Sequence, residues 1–79
     1  MEHGKYLIGE VSEITGASPK SIRNWERYIG DVDRIYCGKM SYRFYTERQL
    51  QLIKRIKKYV NEGFRLDFAA QKALQALSS

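Results

Sequence analysis

The sequence predicts a small, mostly α-helical domain with one β-hairpin set between two pairs of helices, and three observations predict it. Apolar residues recur at helical spacing in four separate stretches, two hydroxyl-led cap signatures (Ser18-Pro19 and Thr46-Glu-Arg-Gln49) mark helix starts, and residues 33–45 are rich in β-formers around Gly38. The chain has 79 residues, which makes one domain with a thin core, since a chain of this size buries only about 60% of the surface its unfolded form exposes. The expected organisation is a flexible tail over residues 1–5 and one folded domain over 6–77.

Ile8, Val11 and Ile14 recur at helical spacing with Glu10 and Glu13 turned away, so residues 8–15 predict a short amphipathic helix that Gly16 ends. Only Gly16 and Ala17 separate it from the next start, where Ser18 is placed to cap free N–H groups and Pro19 supplies a pre-set φ at the first helical position. In the helix that follows, Ile22, Trp25 and Ile29 fall on one side and Lys20, Arg23, Asn24 and Arg27 on the other, with Gly30 as its stop. Two helices joined by so tight a Gly-containing turn fit the helix-turn-helix pattern, although ordinary helical hairpins share it.

Arg34-Ile35-Tyr36 and Tyr42-Arg43-Phe44-Tyr45 then predict the two strands of the hairpin, a wing over residues 33–45. Thr46 and Gln49 form a capping box that opens a long helix, with Leu50, Leu52, Ile53, Ile56, Tyr59 and Val60 over half of its circumference and Arg48, Lys54, Arg55 and Lys58 over the rest. Asn61-Glu62-Gly63 closes it. Phe64 to Leu77 predicts a last helix, with Phe68, Ala70, Ala73, Leu74 and Leu77 as its inner or partner-facing residues.

Lysine and arginine outnumber the acids by 14 to 9, for a formal charge of +5. The surplus is concentrated, because residues 20–58 carry eleven bases against four acids. A basic half of this kind suits phosphate-bearing partners as readily as it suits a merely solvated surface. Cys37 stands alone, which excludes an internal disulfide and a cysteine-cluster zinc site and fits a reducing compartment. The sequence shows no secretion signal and no apolar run long enough to span a membrane, so the expected location is cytoplasmic, at the nucleoid. His3 lies in the tail, and no glycine-rich phosphate loop or spaced carboxylate pair occurs, so no enzyme, metal or cofactor is expected.

The motifs resemble those of the MerR family of bacterial transcription regulators over roughly residues 6–76. Ile8-Gly9-Glu10-Val11, the turn Thr15-Gly16-Ala17-Ser18-Pro19, Ile22-Arg23-Asn24-Trp25-Glu26, Ser41-Tyr42-Arg43-Phe44-Tyr45 and Gly63-Phe64 stand in the family's order. Asn24-Trp-Glu-Arg-Tyr28 is most similar to the branch that precedes cobalamin-binding light sensors. The resemblance implies a winged helix-turn-helix whose second helix enters DNA. Asn24 departs from an aromatic residue common in the family, Ser41 replaces its usual wing glycine, and the family's Leu-Leu-x-Pro after the recognition helix is missing. The family's long coiled coil and effector domain lie beyond this stretch, so either a fragment of a longer regulator or a stand-alone reader fits.

On this reading Arg23 is the first candidate for base readout, because its fork matches the O6 and N7 edge of guanine, and Asn24 is the second, with an amide that pairs with adenine. Lys20 and Arg27 hold the DNA backbone, while Ser18 and Ser21 offer hydroxyls near the helix N-terminus, although capping alone explains Ser18 equally well. On the wing, Arg43, Lys39 and Tyr42 are candidates for phosphate or minor-groove contact. Trp25 anchors the helix, Phe44 and Tyr45 pack the hairpin, Glu26 and Glu47 are structural, and Lys54, Arg55, Lys57 and Lys58 read first as a solvated face. The expected partner is double-stranded DNA bound by a homodimer or larger assembly. The alternatives are a phage-type excisionase or architectural DNA-binding protein, and a protein-interaction module whose last helix grips a partner.

Overall fold

Among the described residues Val11, Ile22, Tyr45, Leu52, Ile53 and Ile56 are the largest fully buried side chains, and they come from three helices and a strand that meet around them. The computed structural model describes residues 5–30 and 33–78, and of residues 33–37, 41, 43 and 78 the backbone alone. In chain order the elements are β1 (Tyr6–Leu7), α1 (Ile8–Thr15), α2 (Pro19–Ile29), β2 (Asp33–Cys37), β3 (Met40–Tyr45), α3 (Glu47–Asn61) and α4 (Leu66–Ser78). The predicted winged helix-turn-helix is therefore present, with the hairpin between the two helix pairs.

Local chemistry explains the boundaries. Gly16 adopts the left-handed conformation (φ 81°), which a side chain disfavours, and its N–H donates to the Ser12 carbonyl at 2.9 Å to close α1. At α3 the capping box is formed in both directions: the Gln49 N–H donates to Thr46 Oγ1 at 3.1 Å and the Thr46 N–H to Gln49 Oε1 at 3.0 Å. The other end of α3 closes in a Schellman arrangement, with Phe64 N–H donating to the Tyr59 carbonyl and Gly63 N–H to that of Val60, around Gly63 at φ 105°.

Three expectations need correction. Residues 64 and 65 do not start the last helix, because Phe64 is consumed in closing α3, and α4 begins at Leu66. Of the two readings given to Phe68, inner or partner-facing, the inner one fails: it is 48% exposed, since it stands about 200° around the helix from Ala70, while Ala69, Ala70 and Ala73 form the buried stripe against the core. Ile14 is 49% exposed, because two turns of α1 present only Val11 fully to the core.

The sheet also has a strand that no sequence signal announces. β3 is central in the order β1-β3-β2, pairing antiparallel with β1 (Tyr6 opposite Tyr45, Leu7 opposite Phe44) and with β2 (Asp33 opposite Phe44 through Cys37 opposite Met40). Two residues cannot show an alternating pattern, so β1 is defined by its partner. The Tyr6 hydroxyl adds a tie, donating to Glu47 Oε1 at 2.7 Å, and Gln51 Nε2 donates to Glu47 Oε2 at 2.8 Å. These two donors, the amide first, hold the Glu47 carboxyl below its usual range, and giving its hydrogen bond to Glu47 raises the Tyr6 phenol above the ordinary tyrosine value.

Candidate nucleic-acid interface

The surface that could meet DNA is built outward from the turn between α1 and α2. Thr15 Oγ1 donates to the Val11 carbonyl at 2.7 Å and accepts the Ala17 N–H at 3.2 Å, while Ser12 Oγ donates to the Ala17 carbonyl at 2.7 Å. With Ala17 itself buried, these bonds fix the direction in which α2 leaves the turn. Ser18 caps α2, accepting the Ser21 N–H at 3.2 Å and donating its own hydroxyl to Ser21 Oγ at 3.1 Å. Both serine hydroxyls are thus engaged with each other at the helix start, with Ser18 exposed and Ser21 half-buried.

Along α2 the two faces are fully separated. Ile22, Trp25 and Ile29 are buried in the common core, whereas Lys20, Arg23, Asn24 and Arg27 are all exposed. Trp25 supplies the largest apolar area on this helix and so fixes its roll about its own axis, which is what aims the opposite face outward. The Arg27 guanidinium lies 5.9 Å from the centre of the adjacent Tyr28 ring. Glu26, on the flank of the helix, accepts a hydrogen bond from the Tyr45 hydroxyl at 2.7 Å, so it fastens α2 to the base of the hairpin. Its reading as structural agrees with that geometry, as does that of Glu47.

The hairpin carries the remaining candidates. Lys39 is exposed at the tip, beside Gly38 in its left-handed turn position. Arg43 pairs through its backbone with Arg34, and its side chain lies outside the described residues. Tyr42 is 44% exposed and lines a shallow groove of about 450 Å³ with Leu7, Ile8, Gly9, Glu10 and Glu13. Its two carboxylate neighbours oppose a phosphate, which makes Tyr42 the least favourably placed of the wing candidates. Phe44 is half-buried with the Lys5 ammonium 5.2 Å from its ring centre, and Tyr45 is fully buried.

A second cationic feature lies in the basic run that sequence spacing reads first as a solvated face. Lys54, Lys57 and Lys58, on the outer side of α3, share with Asn61, Glu62, Ile14 and Thr15 a cleft of about 420 Å³. The cleft brings the end of α1 against residues some forty positions later in the chain.

The face that the interaction-module alternative needs is largely occupied. Ala70 and Ala73 belong to the core, and Leu74 and Leu77 are packed against it. Phe68 instead joins an outer cluster in which Phe64 lies 6.0 Å from Tyr59 and 5.4 Å from Phe68, with the Lys72 ammonium 5.4–5.5 Å from all three rings.

The chain is similar to known proteins. The profile of a family described as MerR HTH family regulatory protein matches residues 6–77. One curated relative, the HTH-type transcriptional repressor CarH of Myxococcus xanthus, is 33% identical over 73 residues, covering 90% of this chain and 23% of the relative. The chain therefore spans about a quarter of the length of that relative.

Proposed function

This chain belongs to the MerR family of HTH regulatory proteins, and from that premise we propose that it is a sequence-specific reader of double-stranded DNA acting in transcriptional control. In this reading α2 lies in the major groove, Arg23 bonds a guanine edge and Asn24 an adenine edge, and Lys20, Arg27, Ser18 and Ser21 hold the backbone. The wing, residues 33–45, reaches the backbone or minor groove through Arg43 and Lys39, with Tyr42 at its side.

The observation that carries the proposal is the separation of α2 into a buried Ile22, Trp25, Ile29 face and an exposed Lys20, Arg23, Asn24, Arg27 face. An anchored helix with an exposed row of bidentate and cationic side chains is what base-edge readout requires. The relative, CarH, is an HTH-type transcriptional repressor, which favours repression here. Two copies on a palindrome with half-sites about one or two helical turns apart complete the proposal.

Titrating DNA affinity against salt tests it. Six or more phosphate contacts give a steep fall, with log affinity changing by about 0.9 per contact for each tenfold change in salt. A flat line removes the DNA-binding reading.

A further inference from the structure

The groove that Tyr42 lines is opposite in character to the basic surfaces around it, and DNA binding leaves it unexplained. It encloses about 450 Å³ and is lined by Leu7, Ile8, Gly9, Glu10, Glu13 and Tyr42, with no lysine or arginine among the described residues. In a chain of net charge +5 it is a patch of two carboxylates, which repels phosphates and attracts a basic partner. Its walls are also apolar. Leu7 and Tyr42 are each 44% exposed, and Met40 beyond them is 56% exposed. Tyr42 and Met40 stand two apart on β3 and so share a face of the sheet, which Leu7 joins because it pairs with Phe44. The Lys5 ammonium, 5.2 Å from the Phe44 ring centre, shields one end of this face and leaves Leu7, Tyr42 and Met40 uncovered.

We infer that this groove docks an extended segment of a partner protein in which apolar residues alternate with lysine or arginine, laid as an added strand along the free edge of β3. Two observations besides charge support it. β1 pairs only with Phe44 and Tyr45, because α1 begins at Ile8, so among the described residues 40–43 have a neighbouring strand on the β2 side alone. An unpaired edge offers its N–H and C=O groups to another chain, whose alternate side chains then enter the groove together. Gly9 is the second observation. It lies within α1, where glycine weakens a helix, yet its φ is not positive and a Cβ there would meet nothing within 4 Å, so no neighbouring atom among the described residues requires it. A partner backbone passing close over α1 does require it. Glu10 and Glu13, three apart on one side of α1, then meet the segment's cationic residues. Of the residues assigned to DNA only Tyr42 lines the groove, so this docking does not depend on the DNA-binding reading.

A library of random peptides displayed to the whole protein tests it. The selected peptides are expected to alternate apolar and basic residues, and their binding to slow amide exchange at residues 40–43. Selection of acidic peptides, or of none, overturns the inference, as does an all-lysine peptide that binds equally tightly, because charge alone then suffices. Gly9→Leu, which fills the groove with a good helix former, is expected to lower peptide affinity at least about tenfold without lowering the unfolding midpoint. Unchanged peptide affinity in that variant overturns the inference. Glu10→Gln with Glu13→Gln, which keeps an oxygen for the Leu7 N–H that donates to Glu10 Oε1 at 2.9 Å, should weaken peptide binding and flatten its salt dependence, and an unchanged salt dependence also counts against the docking. Affinities of Gly9→Leu for a duplex selected from a random pool and for a scrambled duplex of the same length should equal those of the wild type. A loss of both would put the groove on the DNA surface and overturn the inference. Self-association without peptide that Gly9→Leu abolishes would make a second copy the occupant, and overturn it likewise.

Discussion

α2 and α3 are both amphipathic, both start at a hydroxyl cap and both turn a basic side outward, yet the two basic sides are made of different chemistry. On α2 the exposed row is two arginines, an asparagine and a lysine on a helix fixed by Trp25. On α3 it includes three lysines lining a cleft with an asparagine partner. Planar, multi-donor groups discriminate base edges, whereas ammonium groups register charge. In the proposed reading α2 therefore carries both kinds of contact, base readout through Arg23 and Asn24 and backbone grip through Lys20 and Arg27.

The comparison breaks first at the anchors. Trp25→Ala should cost about 3–5 kcal/mol of stability by removing the floor of α2, read by denaturant unfolding, and a loss below about 1 kcal/mol would mean that α2 is not fixed by its inner face. Asn24→Ala, by contrast, should leave stability within about 0.5 kcal/mol while relaxing discrimination at one A·T pair by about 1–3 kcal/mol. Binding to single-base variants of the selected site measures it, and uniform weakening across them would reassign Asn24 to the backbone.

The caps sharpen the contrast at smaller scale. Ser18→Ala and Thr46→Ala should each cost about 1 kcal/mol of stability. Only Ser18→Ala should also weaken DNA binding, by an amount equal on selected and scrambled duplexes, since only Ser18 lies on the proposed interface. Equal DNA affinities for the two variants would leave Ser18 a cap alone.

The smallest expected effect is acid dependence at the start of α3. The lowered Glu47 carboxyl contributes stability above the ordinary glutamate range, and that contribution is lost as pH falls through its lower folded value. The raised Tyr6 phenol works in the other direction, contributing below the ordinary tyrosine range and losing it as pH rises through its higher folded value. Tyr6→Phe should flatten both ends of the stability profile, and an unchanged acid limb would show that the Gln51 amide alone holds Glu47.

What the sequence made legible follows from how local each signal is. The cap, stop and both faces of α2 lie within thirteen consecutive residues, so Ser18, Trp25 and Gly30 announce the helix and its roll together. The wing is equally local, its strands standing on either side of Gly38. β1 was hidden because Tyr6 and Leu7 become a strand only beside Tyr45 and Phe44. Gly63-Phe64 was ambiguous because the same pair can precede a helix or close one, and hydrogen bonds back to Tyr59 and Val60 decide it. The lysine cleft was invisible for a related reason: spacing places Lys54, Lys57 and Lys58 on one side of a helix, but only the packing of α1 beside α3 sets Ile14 and Thr15 across from them.

The claim that α2 reads while the other basic residues hold is tested most directly by the affinity ratio between selected and scrambled duplexes in Arg23→Ala. The account predicts that this ratio falls by roughly five- to a hundredfold, the equivalent of one bidentate guanine contact, with unfolding stability unchanged. A ratio equal to that of the wild type would contradict it, because Arg23, the first candidate reader, would then be one more phosphate contact.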